Sequence, residues 1–177
     1  SSSAASDVYK RQIYDADKKP TGETIDRYNF SLKPGQFHLA AIAVLITEDK
    51  KILITRRSMN KRWAAGLWEI PGGGVKAGEN SEAAIYREIL EETNIDLGDR
   101  KYEDFYTHKR ESKESNSYFV DMYCFKISKK DILGVKVQEE EILESKIVSI
   151  SELEDIAKRG EFLHFDNVKN FLYRCVG

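Results

Sequence analysis

This 177-residue sequence has few cysteines and no excess of either charge. The first feature argues against a disulfide-rich protein, and the second against a protein that binds nucleic acid or membranes through charge. The only cysteines are Cys124 and Cys175, which are far apart and lack the spacing of a metal site, so we expect free thiols rather than a disulfide framework. An excess of one charge is also missing, because 28 basic residues face 30 acidic ones. Without a broad basic field, we expect no binding to duplex nucleic acid or to an anionic membrane.

Long hydrophobic runs are absent as well. No apolar stretch approaches the roughly 18 residues of a membrane span, and no charged segment followed by an apolar one opens the sequence. We therefore expect a soluble, cytoplasmic protein. The length suffices for one domain with a substantial core but is short for two.

The first residues are set apart from the fold prediction. Ser2–Gln12 reads SSAASDVYKRQ, which matches the in-frame translation of a common sequencing adaptor. We interpret residues 1–12 as an artefact of this kind, expected to be disordered, and predict a single domain at residues 13–177.

The segment Gly73–Ile95 carries the strongest chemical signal. Pro71 and the three glycines at 72–74 predict a tight loop before it, because proline fixes φ and glycine opens conformations that other residues avoid. Ser81 suits an N-cap, and Glu82–Thr93 contains neither glycine nor proline. A helix of about three turns is therefore predicted.

One face of this predicted helix is acidic. Helical spacing gathers Glu88, Glu91 and Glu92 opposite the apolar face, and Arg87 offsets only part of the repulsion between them. A solvated acidic face is one interpretation. A metal site is the other, since carboxylates beside an exposed glycine backbone supply the oxygen ligands that Mg²⁺ prefers.

The same residues resemble a family pattern, the Nudix box. The pattern runs Gly, five residues, Glu, seven residues, Arg-Glu, an aliphatic, any residue, Glu-Glu, any residue, Gly, an aliphatic. Asn94 stands where the family has its last glycine, and asparagine also tolerates the left-handed conformation that ends a helix. The preceding residues 13–46 resemble the isopentenyl-diphosphate isomerase-like group of Nudix proteins. The matching positions are Gly73, Glu79, Arg87, Glu88, Ile89, Glu91, Glu92, Asn94 and Ile95.

The resemblance implies a fold, a reaction and a metal site. The fold is α+β, a mixed curved sheet sandwiched between helices in α/β/α layers. The reaction is hydrolysis, with Mg²⁺ or Mn²⁺, of a diphosphate that joins a nucleoside to another moiety. By the same resemblance, Glu88 and Glu92 are the principal metal ligands, Glu91 and the Gly73 carbonyl assist, and Glu79 acts in the outer sphere or at a second metal.

Two further roles follow from the resemblance. Arg87 would hold the carboxylates in place. A general base is also required, because a base that takes a proton in the transition state typically contributes 10²–10⁴-fold. In this family the base is a glutamate of the box or of a later loop. The run Glu139–Glu141 lies in the matching region, where we favour Glu141 and leave a solvated acidic loop as the alternative.

Substrate contacts are predicted near the end of a strand. Arg56 and Arg57 suit bidentate phosphate binding, although adjacent strand residues point oppositely, so at least one should face solvent or a structural carboxylate. Trp68, Tyr106 and Tyr118 could stack on a base, but strand aromatics more often belong to the core.

Two alternatives to hydrolysis are left open by the sequence. An isomerase of the related group would carry a catalytic cysteine before the helix, and residues 70–74 contain none. A nucleotide sensor without catalysis would be expected to lose the box carboxylates, which are all present. The partner is expected to be a small diphosphate, and a homodimer is possible.

The remaining chain yields a coarse set of elements. Residues 13–36 should be irregular apart from a short strand at 13–14. A hairpin is predicted at 38–47 and 51–55, a short strand at 67–70, strands at 101–109, 117–127, 133–137 and 146–150, and helices at 151–159, with a Ser151 cap, and 166–175.

Overall fold

The structure is a computed structural model that describes residues 10–177, in which an open, mixed sheet of nine strands lies between helices. The strands are β1 (Lys10–Tyr14), β2 (Pro20–Asp26), β3 (Phe37–Ile46), β4 (Ile52–Arg57), β5 (Trp68–Glu69), β6 (Gly72–Gly74), β7 (Asp104–Arg110), β8 (Ser117–Lys126) and β9 (Ile142–Val148). The helices are α1 (Ser81–Thr93), α2 (Lys129–Leu133), α3 (Ile150–Lys158) and α4 (Phe165–Val176).

Strand β3 is the centre of the sheet. It pairs in parallel with β8 along its whole length, from Phe37 opposite Ser117 to Ile46 opposite Lys126. Along its other edge it pairs antiparallel with β1, β6 and β4 in turn. Because both of its faces are covered, its sequence is an almost continuous apolar run rather than an alternating one.

Two apolar cores lie on the two faces of the sheet. One is formed by α1, whose Ile85 and Ile89 pack with Leu39 and Phe125. The other is formed by α3 and α4, whose Leu153 and Phe171 belong to a cluster with strand residues of the opposite face. This arrangement confirms the predicted α/β/α layers. Within residues 10–177, no helix is long and apolar enough to cross a membrane.

The glycine run differs from its prediction, because it is a strand and not a loop. Gly72–Gly74 form β6 and pair antiparallel with residues 40–42 of β3. Glycine is needed there for close approach, since a Cβ on Gly72 would lie 2.1 Å from the carbonyl oxygen of Ala41. The φ of Gly72 is 153°, a conformation that other residues rarely adopt.

The predicted strand at 133–137 is also wrong. The short helix α2 ends at Leu133, and the residues after it run along the C-terminal end of α1. There the Lys136 and Gln138 N–H groups donate to the carbonyls of Thr93 and Glu92. These bonds satisfy the last carbonyls of α1, which have no partner within the helix.

Smaller corrections concern the lead-in and the helix caps. Residues 20–26, expected to be irregular, form β2 against β1. Residues 10–12, expected to be disordered, belong to β1, whereas residues 1–9 lie outside the described range. The caps of α1 and α3 are Asn80 and Ser149 rather than the predicted Ser81 and Ser151.

Candidate metal and diphosphate site

Helix α1 is held at both ends, which sets the positions of its carboxylates. The side chain of Asn80 accepts a hydrogen bond from the Ala83 N–H at the start. At the other end Asn94 takes the predicted left-handed conformation, with φ 64°, and its N–H donates to the Leu90 carbonyl. With its length fixed in this way, the helix turns Glu88 and Glu92 toward the sheet.

These two glutamates are nearly buried, with 9% and 8% of their surface exposed. The Gly72 N–H donates to Glu92 Oε2 at 3.2 Å. A Cβ on Gly73 would lie only 2.6 Å from the Glu88 carboxyl carbon. The absence of side chains in β6 therefore allows both carboxylates to lie directly against the strand backbone.

Arg87 ties the acidic groups together. Its guanidinium contacts Glu79 at 2.6 Å, Glu88 at 2.8 Å and Glu91 at 3.3 Å, and it donates to the Gly74 carbonyl at 3.3 Å. Burial opposes its charge, but the hydrogen bonds and charges of Glu79 and Glu88 outweigh that effect and raise the pKa of Arg87. These contacts join Arg87 to three of the four box glutamates, and its predicted role of holding the carboxylates in place stays a prediction.

Glu79 and Glu91 contribute differently from the buried pair. Both carboxylate oxygens of Glu79 are bonded by Arg87, and one also accepts the Lys76 N–H. Burial acts to raise the pKa of Glu79, but these hydrogen bonds lower it. Glu91 is exposed, and its carboxylate pairs with Arg87. The metal-binding roles of Glu79 and Glu91 therefore stay predictions.

The buried pair has the electrostatics of a cation site. Burial, followed by the charges of Glu88 and Glu69, raises the pKa of Glu92 well above its ordinary value. A nearby cation would relieve this repulsion. In residues 10–177 no group of three or more His, Cys, Asp or Glu side chains is placed so that it could hold a metal ion. An open site of two carboxylates and a backbone carbonyl nevertheless fits Mg²⁺, which keeps several waters and binds substrate phosphates.

Glu69 is a site residue that sequence reasoning missed. It lies on β5 opposite Thr55, and burial raises the pKa of its carboxyl while the adjacent Arg57 opposes the shift. Arg57 bonds it at 3.3 Å. The available signal was strand alternation: Trp68 faces one core, so its neighbour Glu69 must face the other side.

The two adjacent arginines of β4 diverge, as their spacing predicts. Arg57 faces Glu69, whereas Arg56 donates to the Gly66 carbonyl and pairs with Glu144 at 3.3 Å on the other face. Only Arg57 therefore lies beside the acidic site. Arg56 fills the structural role that was expected of at least one of the two.

Trp68 does not occupy a position where a ligand could stack. It is 7% exposed and belongs to the core beneath α3 and α4. The cationic groups of Arg56 and Lys146 lie 5.9 Å and 5.5 Å from its ring centroid. The prediction of substrate stacking on Trp68 is therefore not supported, because a nonpolar ring at this position is needed for packing.

Glu141 is connected to the buried carboxylates by Lys61. Its carboxylate pairs with Lys61, and its carbonyl accepts the Ser58 N–H. Burial lowers the pKa of Lys61, as does the charge of Arg57, while Glu92 and Glu69 act in the opposite direction. Lys61 thus lies between Glu141 and the buried carboxylates. The neighbouring Glu139 and Glu140 are exposed.

Comparisons with known proteins identify the family and the fold. The model of the NUDIX domain family matches residues 36–168. An uncharacterized Nudix hydrolase of Listeria monocytogenes is 28% identical over 156 residues, which cover 86% of this chain and 87% of that protein. An isopentenyl-diphosphate Delta-isomerase of Salmonella heidelberg is 33% identical over 88 residues, about half of each chain. The solved structure of DR0079 from Deinococcus radiodurans superposes with a TM-score of 0.70 at 19% identity, covering 94% of this chain and 98% of that one.

Proposed function

The chain belongs to the Nudix hydrolase family, and from this premise we propose that it hydrolyses the diphosphate linkage of a small nucleotide-type substrate with Mg²⁺ or Mn²⁺. The substrate class is a nucleoside diphosphate linked to another moiety. The observation that carries the proposal is the buried pair of Glu88 and Glu92 against the bare backbone of β6.

The residues of the site have two roles, binding the cation and positioning its ligands. Glu88 and Glu92, with Glu91 and the Gly73 carbonyl, would hold the cation. When bound, the cation neutralises phosphate oxygens and lowers the pKa of a coordinated water. Arg87 keeps the carboxylates fixed through its contacts with Glu88 and Glu91.

Diphosphate binding falls to Arg57. Its guanidinium donates to Glu69 at 3.3 Å, and the charge of Glu69 in turn acts on Glu92. A phosphate oxygen at this position would receive a charge-assisted hydrogen bond. Arg56, on the opposite face with Glu144, does not take part.

The general base is proposed to be Glu141, with Glu69 as its competitor. Glu141 Oε2 is paired with Lys61 Nζ, and a carboxylate has a second oxygen that can accept a proton. Glu69 is bonded to Arg57 and lies near enough to Glu92 to raise its pKa. Both carboxylates can accept a proton next to the site.

The alternative of isomerisation has weaker support. The isomerase relative matches about half of the chain, and the residues that lead into α1 contain no cysteine. The alternative of a nucleotide sensor is disfavoured because Arg87, Glu88, Glu91 and Glu92 are all present and connected. Hydrolysis uses all four of these residues.

A substrate panel tests the proposal. The protein is incubated, with and without Mg²⁺, with nucleoside triphosphates, nucleotide sugars, dinucleotides, ADP-ribose, coenzyme A and isopentenyl diphosphate. Released phosphate or monophosphate is measured. We expect Mg²⁺-dependent cleavage of one class that is lost in Glu92→Gln and retained in Glu82→Gln, an exposed glutamate in the first turn of the same helix. Ligand-induced stabilisation without turnover across the panel would instead favour the sensor.

A further inference from the structure

A line of aromatic and cationic side chains leads away from the carboxylates. The guanidinium of Arg57 lies 5.4 Å from the ring centroid of Trp63. The Trp63 ring lies 5.6 Å from that of His164, and the His164 ring lies 6.4 Å from that of Tyr118. These residues come from the loop after β4, the segment before α4 and the start of β8, and only the fold brings them together.

The line ends at a cavity between β7 and α4. Asn167 both lines this cavity and donates to the Tyr118 hydroxyl at 3.2 Å. The cavity has a volume of about 480 Å³, and its other lining residues are Tyr106, His108, Asp166, Asn170, Phe171 and Arg174, so it adjoins the aromatic line without being lined by it. This volume is in the range of small-molecule binding sites.

The charge along this surface favours an anion. Arg110 lies 5.5 Å above the Tyr118 ring, and among the described residues it takes part in none of the ion pairs. In contrast, Arg174 is bound by Asp104 at 2.6 Å. Burial lowers the pKa of His164, and the charges of Arg110, His108 and Arg57 act in the same direction. Positive groups therefore approach this ring from both ends of the line.

The exposure of Trp63 sets it apart from the other tryptophan. It is 58% exposed, although a ring of this size contributes more stability when it is buried. An exposed indole beside a guanidinium can stack on a nucleobase, because every base has a π-face.

Next to Tyr118, the buried end of this aromatic line contains a histidine whose ring nitrogens are not hydrogen-bonded within residues 10–177. His38 pairs in register with Tyr118 in the parallel ladder, so the two side chains lie on one face of the sheet. His38 is buried, and neither of its ring nitrogens has a hydrogen-bond partner among the described residues. Burial, followed by the charge of Arg11, lowers the pKa of His38 to about 4, so the buried ring is neutral at pH 7.

We propose that the surface formed by Trp63, His164, Tyr118 and Arg110 binds a second nucleotide of the substrate, with its base on the aromatic rings and a phosphate at Arg110. Dinucleotides joined through their phosphates would then be preferred over nucleotide sugars and isoprenoid diphosphates. This inference rests on the proposed function, because it places the second nucleotide next to the diphosphate site.

Tryptophan fluorescence tests binding without turnover. The chain has two tryptophans, and AMP added without metal should quench the exposed Trp63 saturably. Arg110→Gln should weaken AMP binding about tenfold, the effect of losing about 1.4 kcal/mol, and should leave adenosine binding unchanged. The signal should disappear in Trp63→Phe, where only the buried Trp68 remains. Absence of saturable quenching in the wild-type protein would overturn the proposal.

Kinetics provide the second test. Trp63→Ala should raise the KM for a dinucleotide about tenfold more than the KM for a nucleoside triphosphate. Met59→Ala is the matched control, since Met59 is in the same loop and is 63% exposed. Saturable quenching without hydrolysis of any substrate would support this surface and contradict the proposed function. Hydrolysis of dinucleotides with equal KM changes for both substrates would contradict this surface alone.

Discussion

The carboxylate site and the aromatic surface beside it are built in opposite ways. The carboxylate site comes mainly from one continuous segment, Gly73–Glu92, in which a bare strand is followed by a capped helix. The aromatic surface joins Trp63, His164 and Tyr118 from three distant segments. The first can be recognised from spacing along the chain, whereas the second exists only after β8 and α4 are in place.

The largest expected effect is the loss of turnover when a carboxylate of the metal site is changed, which should leave nucleotide binding at the aromatic surface intact. Glu88→Gln and Glu92→Gln should each reduce metal-dependent turnover by about three orders of magnitude, because a bound cation contributes several kcal/mol to the transition state. Both variants should still show quenching of Trp63 by AMP. Turnover is measured by phosphate release, and unchanged rates would show that the metal site lies elsewhere.

The second prediction separates the roles of Gly72 and Gly73, two of the three glycines of β6. Gly72→Ala should lower the free energy of unfolding by on the order of 3 kcal/mol, since its Cβ would collide with the Ala41 carbonyl oxygen and its φ is strained for alanine. Gly73→Ala should instead displace the Glu88 carboxylate and reduce activity. Urea denaturation and turnover are measured for both variants. Equal loss of stability would contradict this division.

These glycines also show how much the sequence could predict. The box residues, the helix and its left-handed end at Asn94 follow from local chemistry. The glycine run was predicted as a loop because local propensity disfavours glycine in strands, whereas close approach to β3 requires glycine there. For Trp68 the sequence leaves both stacking and the core open, because only the packing of α3 and α4 decides its burial.

The third prediction concerns the proton acceptor. If Glu141 is the base, Glu141→Gln should reduce kcat by about 10²-fold or more, and Glu69→Gln should reduce it less. The reverse order would assign the base to Glu69. Glu140→Gln is the matched control, since this neighbour is exposed. Single-turnover rates are the measurement, because they report the chemical step rather than product release.

The smallest effect is expected from the adjacent arginines, and it tests where the boundary between the two regions lies. Arg57 contacts Glu69 on one side and Trp63 on the other, so it belongs to both regions. Arg57→Ala should lower kcat/KM about tenfold, in keeping with about 1.5 kcal/mol for a lost charge-assisted hydrogen bond.

Arg56→Ala provides the internal comparison, because its guanidinium is committed to Gly66 and Glu144. It should change kcat/KM by less than about twofold, and its partly exposed ion pair should contribute less than about 1 kcal/mol to stability. If Arg57→Ala raised KM for dinucleotides and triphosphates equally, Arg57 would act on the shared diphosphate. A larger rise for dinucleotides would mean that its contact with Trp63 also orients the second nucleotide, and the two regions would then form one continuous site.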